Sequence, residues 1–410
     1  MRRSRSRVTQ LAPEQGETDV AFKRIGILTG GGDVPGLNSV IKGVVYRATA
    51  LGADVLGIRG GWKGLTHSRI VDGIDPDYVL PLNRQNTRTI DRSGGTVLHT
   101  SRTNPRRMQV AKLPPWLQHI AGRVKEVKPG VVDLTPVVLK NLEALKIDTL
   151  IAIGGDDTLS YARVLELEGF PVIGVPKTMD NDVRNTEYCI GFSTAITRAE
   201  AAISRQRTTI GSHERIGIFR IFGRDAGHTA LYTAYVTSVR CCIPEYPFDL
   251  KQLLDLLVTD KRSTPSNYSL VIISEGATWH GAQLIEYGEP DDYGHRKKMS
   301  VAEMLSEEIR TRLGEETVVS DLTYDLRSGN PDFLDKVVAT TFASLAMDCI
   351  ADGHHGRMTA IQNGCYVDAE IPDPELGPRL VDVAQMYDVE RYRPIYAGKN
   401  GMPIFLNRLS

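Results

Sequence analysis

The chain has 410 residues, with 49 Lys+Arg against 50 Asp+Glu and a formal charge of -1. That length exceeds the roughly 250–300 residues at which single cores stop growing, so two domains are expected. The even charge gives no sign of a nucleic-acid or anionic-membrane partner, and no apolar run approaches the roughly 20 residues that span a bilayer.

Residues 1–21 open MRRSRSRVTQ and read as a disordered basic tail without the apolar stretch of a secretory signal. The five cysteines show neither metal-ligand spacing nor disulfide density, which fits reduced thiols in a cytoplasmic protein. Arg24 to Thr29, RIGILT, is an apolar strand that breaks into GGGDVPG. Helical spacing then resumes at Val40, Ile41, Val44, Val45 and Ala48. Glycines between strand and helix let backbone N–H groups converge on an anion at a helix N-terminus, or simply make a tight turn. Pro35 stands where the dinucleotide fingerprint needs a glycine, and no GxxxxGK[ST] occurs, so neither a nicotinamide site nor a Walker-type ATPase is supported. Asn83 to Gly130, rich in Arg, Thr, Pro and Gly, reads partly as surface.

The same grammar recurs where DTLIAI gives way to GGDDT and a helix, followed by the strand FPVIGV. Asp156 and Asp157 sit at a strand end, where open α/β sheets bind ligands. Hard oxygens there suit Mg2+; a helix N-cap is the alternative for Asp157. PKTMDND, residues 176–182, gathers a cation, a hydroxyl and two carboxylates, the parts that phosphoryl transfer requires. Further units at Arg215–Tyr235 and Ser269–Ala277 continue the pattern. The expected fold is α/β, with two doubly wound, mainly parallel Rossmann-like lobes and the active site in the cleft between them. The boundaries read as 22–176 for the first lobe and 177–363 for the second, with the chain crossing between them. Residues 364–410 read as a wrapping segment without assigned function.

In this order GGGDVPGLN, TSR, GGDDT, PKTMDND, FGRDAG, SEGA and YDLRSGNP, spanning Arg24 to Asn363, resemble the phosphofructokinase family. The resemblance implies donor phosphates on Gly31 and Arg102, and Mg2+ on Asp156 and Asp182. It places Thr178 and Met179 on the substrate and makes Asp180 the proton acceptor from the sugar hydroxyl. Phe222, Gly223 and Arg224 would meet the sugar phosphate, Arg224 also clamping the transferring phosphoryl, and Glu275 would meet the sugar hydroxyls. Arg215 and the segment Tyr324, Asp325, Leu326 and Arg327 would hold the 6-phosphate, a task suited to guanidinium forks. Arg215 typically reaches across a subunit boundary in this family, implying a homodimer or homotetramer.

ATP-using members resemble GGDG[ST] with PGTxDND, whereas Asp157 and Lys177 stand here in place of two glycines. Both look like the pyrophosphate class, since an Asp157 carboxylate would crowd and repel the α-phosphate of ATP. The implied activity is reversible, Mg2+-dependent phosphoryl transfer from pyrophosphate to the 1-hydroxyl of fructose 6-phosphate, in glycolysis or gluconeogenesis. Val318 stands where many members carry a phosphate-binding arginine, which leaves sedoheptulose 7-phosphate open as acceptor. An ATP-dependent kinase and a non-catalytic regulatory homologue are the other readings.

Overall fold

The computed structural model describes residues 22–70, 74–282, 286–287, 289, 297–298 and 300–405; the expected basic tail, 1–21, lies outside them. From the N-terminus come β1 (Arg24–Thr29), α1 (Leu37–Ala50), β2 (Asp54–Ile58), β3 (Val79–Leu82), β4 (Thr149–Gly154), α2 (Asp156–Leu167) and β5 (Val172–Pro176). Next are α3 (Phe192–Ser212), β6 (Ile216–Ile221), β7 (Arg240–Cys242), β8 (Ser269–Ser274) and β9 (Thr317–Asp321). The chain then adds α4 (Phe333–Ala351), β10 (Arg357–Gln362) and β11 (Cys365–Glu370).

Two sheets organise these elements. The first has seven strands in the order β11-β10-β5-β4-β1-β2-β3, and the second four in the order β7-β8-β6-β9. The second is parallel throughout, and the first is parallel apart from its two outer pairs, β2–β3 and β10–β11. This is the α/β class with mainly parallel sheets that the sequence led us to expect. Strand β4 is buried along its whole length, as expected where helices cover both faces. One face carries α1 and α4, which approach so closely that a Cβ on Gly43 would stand 2.6 Å from Ala343 Cβ. Against the other face Leu159, Tyr161, Ala162 and Leu165 of α2 pack with Leu28, Leu150 and Ala152.

Part of the stretch read as the second lobe joins the first sheet. Strand β10 pairs with β5 through Arg357↔Ile173 and Met358↔Gly174, so β10, and β11 from the start of the segment read as wrapping, extend the first sheet. The packing of α4 on α1, where Gly43 meets Ala343, delivers the chain to the open edge of β5. At the start of α4 the buried Asp335 accepts from Tyr188 Oη at 2.7 Å, Gly191 N at 2.8 Å, Thr194 N at 2.9 Å and Thr194 Oγ1 at 2.5 Å. It thereby fixes the entry to α3 at Gly191 and Thr194, downstream of the PKTMDND segment. Asp335→Ala would leave four buried donors unpaired, and a loss of about 3–5 kcal/mol is expected in urea unfolding.

All five cysteines are free, four of them buried and Cys365 exposed. Adjacent Cys241 and Cys242 lie within β7, where successive side chains point to opposite faces. No helix among the described residues is long and apolar enough to cross a membrane.

Candidate active site

The carboxyl ends of β1, β4, β5, β6 and β8 converge on one cleft, as parallel sheets place ligand sites beyond their strand ends. Its cavity volume is ≈ 610 Å³. Of the residues singled out by sequence, Gly31, Arg102, Asp156, Asp157, Lys177, Thr178, Met179, Asp180 and Asp182 line it from the side of the first sheet. Phe222, Arg224, Glu275, Tyr324 and Arg327 line it from the second.

On the first side, two glycine loops touch through Thr158, and a Cβ on Gly30 would stand 2.5 Å from Thr158 Oγ1. Gly31 is tied to the TSR segment, its N–H donating to Ser101 O at 3.0 Å and its carbonyl accepting from Thr100 Oγ1 at 2.6 Å. That pairing brings Arg102 to the glycine loop. Because the Gly31 N–H is engaged, the missing side chain is what this residue contributes: its Cβ would lie 3.5 Å from Lys177 Nζ. Lys177 is buried and donates from Nζ to Gly32 O at 2.6 Å. Burial, with the positive charge of Arg327, lowers its pKa to about 8.

Asp156 and Asp157 occupy the first turn of α2, whose cap is the extended Gly155. Asp157 is therefore inside the helix rather than its N-cap. The second carboxylate pair flanks Asn181, which adopts a left-handed backbone with φ of 54°. Asparagine suits that position. Its Nδ2 donates to Glu187 O at 3.0 Å, and its Oδ1 accepts from Cys189 N at 2.8 Å. The Asp180 N–H donates to Thr178 Oγ1 at 3.1 Å, while Asp180 Oδ1 is buried with no hydrogen-bond partner. Burial, then Asp182 and Glu275, raise the Asp180 pKa to about 8. Burial, then Asp182 and Asp157, do the same for Asp156. Asp182 is pushed up as well, chiefly by burial. Such crowding of like charge calls for a cation when the site is loaded.

The second lobe supplies guanidinium groups and aromatic faces. Arg327 lies 4.5 Å from the Phe222 ring centroid and 5.6 Å from that of Tyr324. Arg224 Nε donates to Asp225 Oδ2 at 3.0 Å. Glu275 is held by Arg220 at 3.3 Å, and Arg220 also pairs with Asp321 at 2.6 Å.

Four expected residues are not among the described lining. Gly223 shapes its loop through Ser274 Oγ, which donates to its carbonyl at 2.7 Å. Leu326 is buried in the core and Asp325 is exposed. Arg215 precedes β6 at the end away from Phe222, roughly 20 Å along a strand of that length, and pairs there with Glu316 at 2.7 Å. Sequence reasoning in turn missed Asp33, Ser160, Asp225 and a C-terminal group of Pro372, Asp373, Pro374, Gly377 and Pro378. Asp225 lies beside Arg224 in a recognised motif and was within reach. The C-terminal group carried no signal beyond its prolines.

Could these carboxylates hold Mg2+? Among the described residues no three His, Cys, Asp or Glu side chains gather as a ready-made metal cage. Mg2+ typically takes one or two carboxylates and completes its shell with water and substrate phosphate, so the hard, mutually repelling oxygens of Asp156 and Asp182 fit it.

Comparisons with known proteins agree on the family and divide on the donor. A profile of the Phosphofructokinase family matches residues 24–350. An ATP-dependent 6-phosphofructokinase 3 from Streptomyces coelicolor is 36% identical over 342 residues, covering 83% of this chain and 91% of the relative. A pyrophosphate–fructose 6-phosphate 1-phosphotransferase from the same organism is 35% identical over 370 residues, covering 89% and 98%. Among solved structures, pyrophosphate-dependent phosphofructokinase from Marinobacter aquaeolei shares the fold with a TM-score of 0.71 at 17% identity, covering 94% of this chain and 90% of that one. The Saccharomyces cerevisiae phosphofructokinase has a TM-score of 0.66 at 22% identity over 85% of this chain, which spans 44% of the yeast chain. The chain belongs to the phosphofructokinase family.

Proposed function

We propose that the chain is a Mg2+-dependent, pyrophosphate-using phosphofructokinase acting reversibly on the 1-hydroxyl of fructose 6-phosphate. The observation that carries the donor assignment is the pairing of Asp157 and Lys177 in one cleft. A carboxylate in the first turn of α2 and an ammonium bonded across the glycine loop take space and set charge where a nucleotide's inner phosphate would lie. A bare diphosphate needs neither that space nor a neutral wall.

Asp180 accepts the proton of the sugar hydroxyl, and its free Oδ1 is the atom for it. Arg224 steadies the transferring phosphoryl, while Lys177 and Arg102 offset the donor's charge. Mg2+, when bound, neutralises charge developing on the phosphate oxygens; Asp156 and Asp182 would hold it. Thr178 orients the Asp180 backbone and faces the substrate, as Met179 does from the same turn. Glu275, Phe222 and Gly223 shape the sugar side, with Tyr324 and Arg327 on its 6-phosphate. Arg215 stands too far from its own cleft for that ligand, which supports its serving a neighbouring subunit in a homodimer or homotetramer. We place the enzyme in the cytoplasm.

Steady-state kinetics with both donors test this reading. Pyrophosphate is expected to exceed ATP at least about tenfold in kcat/KM, since a like-charge clash costs several kcal/mol. Faster turnover with ATP discards the donor assignment. In the same assay fructose 6-phosphate is expected to outperform sedoheptulose 7-phosphate, and a heptulose preference of about tenfold or more would reverse the acceptor choice.

A further inference from the structure

After β11 the chain runs back across the cleft as a strap, from Ile371 to Val381. Several hydrogen bonds pin it, four of which mark its course. Arg163 Nη1 donates to Ile371 O at 2.9 Å and Arg184 Nε to Gly377 O at 2.8 Å. The Arg379 N–H donates to Asp182 O at 2.6 Å, and the Val381 N–H to Glu245 Oε1 at 2.9 Å. The same Glu245 oxygen accepts from Gly227 N at 2.8 Å, the last residue of FGRDAG. Within three residues the strap therefore grips the turn carrying Asp180 and Asp182 and, through Glu245, the loop carrying Arg224.

Arg379 is the unusual member. It is only 7% exposed. Its Nη2 donates to the carbonyls of Asn181 and, at 3.4 Å, Glu187, while Nε and Nη1 have no partner. Its carbonyl lies 3.2 Å from His228 Nε2. A guanidinium cannot shed its proton, and burying one costs several kcal/mol unless nearby charge offsets it. Here the group bonds only carbonyls directly, and opposite charge reaches it from Asp182 and Glu187. Glu187 is already occupied by the N–H groups of Asn363 and Gly364. Asp182 belongs to the cleft. A cation kept at such cost against one turn is well suited to holding that turn's shape, because a left-handed Asn181 between two carboxylates must be over-determined to persist.

We propose that Arg379 is a positioning residue of the active site: it clamps the Asn181–Asp182 backbone from behind, so that Asp180 and Asp182 meet the substrate at fixed geometry. The inference rests on the family's phosphoryl transfer and is independent of which donor is used. A misplacement of about 1 Å at such a site can cost roughly 100-fold in rate.

The test uses the full chain. Arg379→Met removes fork and charge at similar bulk. Its kcat is expected to fall about 30- to 100-fold, with KM for fructose 6-phosphate and donor within about threefold of wild type and a single cooperative melt. Arg379→Lys keeps the charge and one donor but not the fork, and its kcat is expected to sit about tenfold below wild type, above that of Arg379→Met. Arg163→Met cuts a strap anchor that does not touch the turn and should keep kcat within about twofold. Near-wild-type kcat in a folded Arg379→Met protein overturns the proposal. So does an equal kcat loss in Arg163→Met, which would assign the effect to strap packing, or a KM that rises as kcat falls. Should Arg379→Met not fold, Arg379→Lys decides: a tenfold lower kcat at unchanged KM supports the clamp, and wild-type kcat rejects it.

Discussion

Asp180→Asn is expected to lower kcat by about 10²–10⁴-fold while leaving KM for fructose 6-phosphate within about threefold, because a general base acts in the transition state and little in the ground state. The side chain keeps its size but loses its negative charge and its capacity to take a proton. Its position supports the role: Oδ1 is buried with no partner, which would be a costly arrangement for a carboxylate serving structure alone. Stability should move the opposite way. Burial, Asp182 and Glu275 raise the Asp180 pKa to about 8, above its unfolded value. The folded state therefore binds the proton more tightly, so stability from this group is fully present below pH about 4 and is lost as pH rises through about 8. Asparagine cannot ionise. In metal-free buffer the variant should melt higher than wild type, by a margin that is larger at about pH 8.5 than at about pH 6. A variant with near-normal kcat removes Asp180 from catalysis, and an unchanged melting difference across that range removes the crowding argument.

How much of this was legible in the sequence follows from which contacts are local. GGGDVPG, GGDDT and PKTMDND each place their chemistry within seven residues of a strand end, so an apolar run followed by glycines and carboxylates announces the site without any tertiary knowledge. Asp157 was ambiguous between cap and cleft because the choice is one residue of helix register, settled here by Gly155 taking the cap. The return of β10 to β5 was not legible: an apolar six-residue strand pairs equally well with either sheet's edge, and only the packing of α4 on α1 selects one. The strap was hidden for a stronger reason. Arg379 and Asn181 are 198 residues apart in the chain, and nothing in GPRLVD marks its arginine as buried. Arg220, which steadies Glu275, reads as an oddity within the apolar strand IGIFRI until the register sets it opposite Asp321.

Donor choice gives the other large effect. The double variant Asp157→Gly, Lys177→Gly is expected to gain measurable turnover with ATP and to shift the ATP-to-pyrophosphate ratio of kcat/KM by about 100-fold or more, with Asp157→Gly alone giving a smaller shift. Both residues line one cavity, yet they act differently. Under the proposed donor assignment Asp157 would oppose a nucleotide by charge, so removing it would subtract a repulsion. Lys177 would oppose it by occupancy: Nζ lies beside Gly31 and bonds Gly32 O, and its removal would free the glycine loop to relax. Its removal also takes a cation from pyrophosphate, which should raise KM for that donor. The structural cost is limited. A glycine in the first turn of α2 costs about 1 kcal/mol at most, and the carbonyl of Gly32, only partly buried, can turn to water. A folded double variant still confined to pyrophosphate would mean that these two side chains do not set the donor, and the search would move to the strap residues that close the same cavity, Asp373 first, since its carboxylate faces Arg163 at 3.7 Å on the flank of α2.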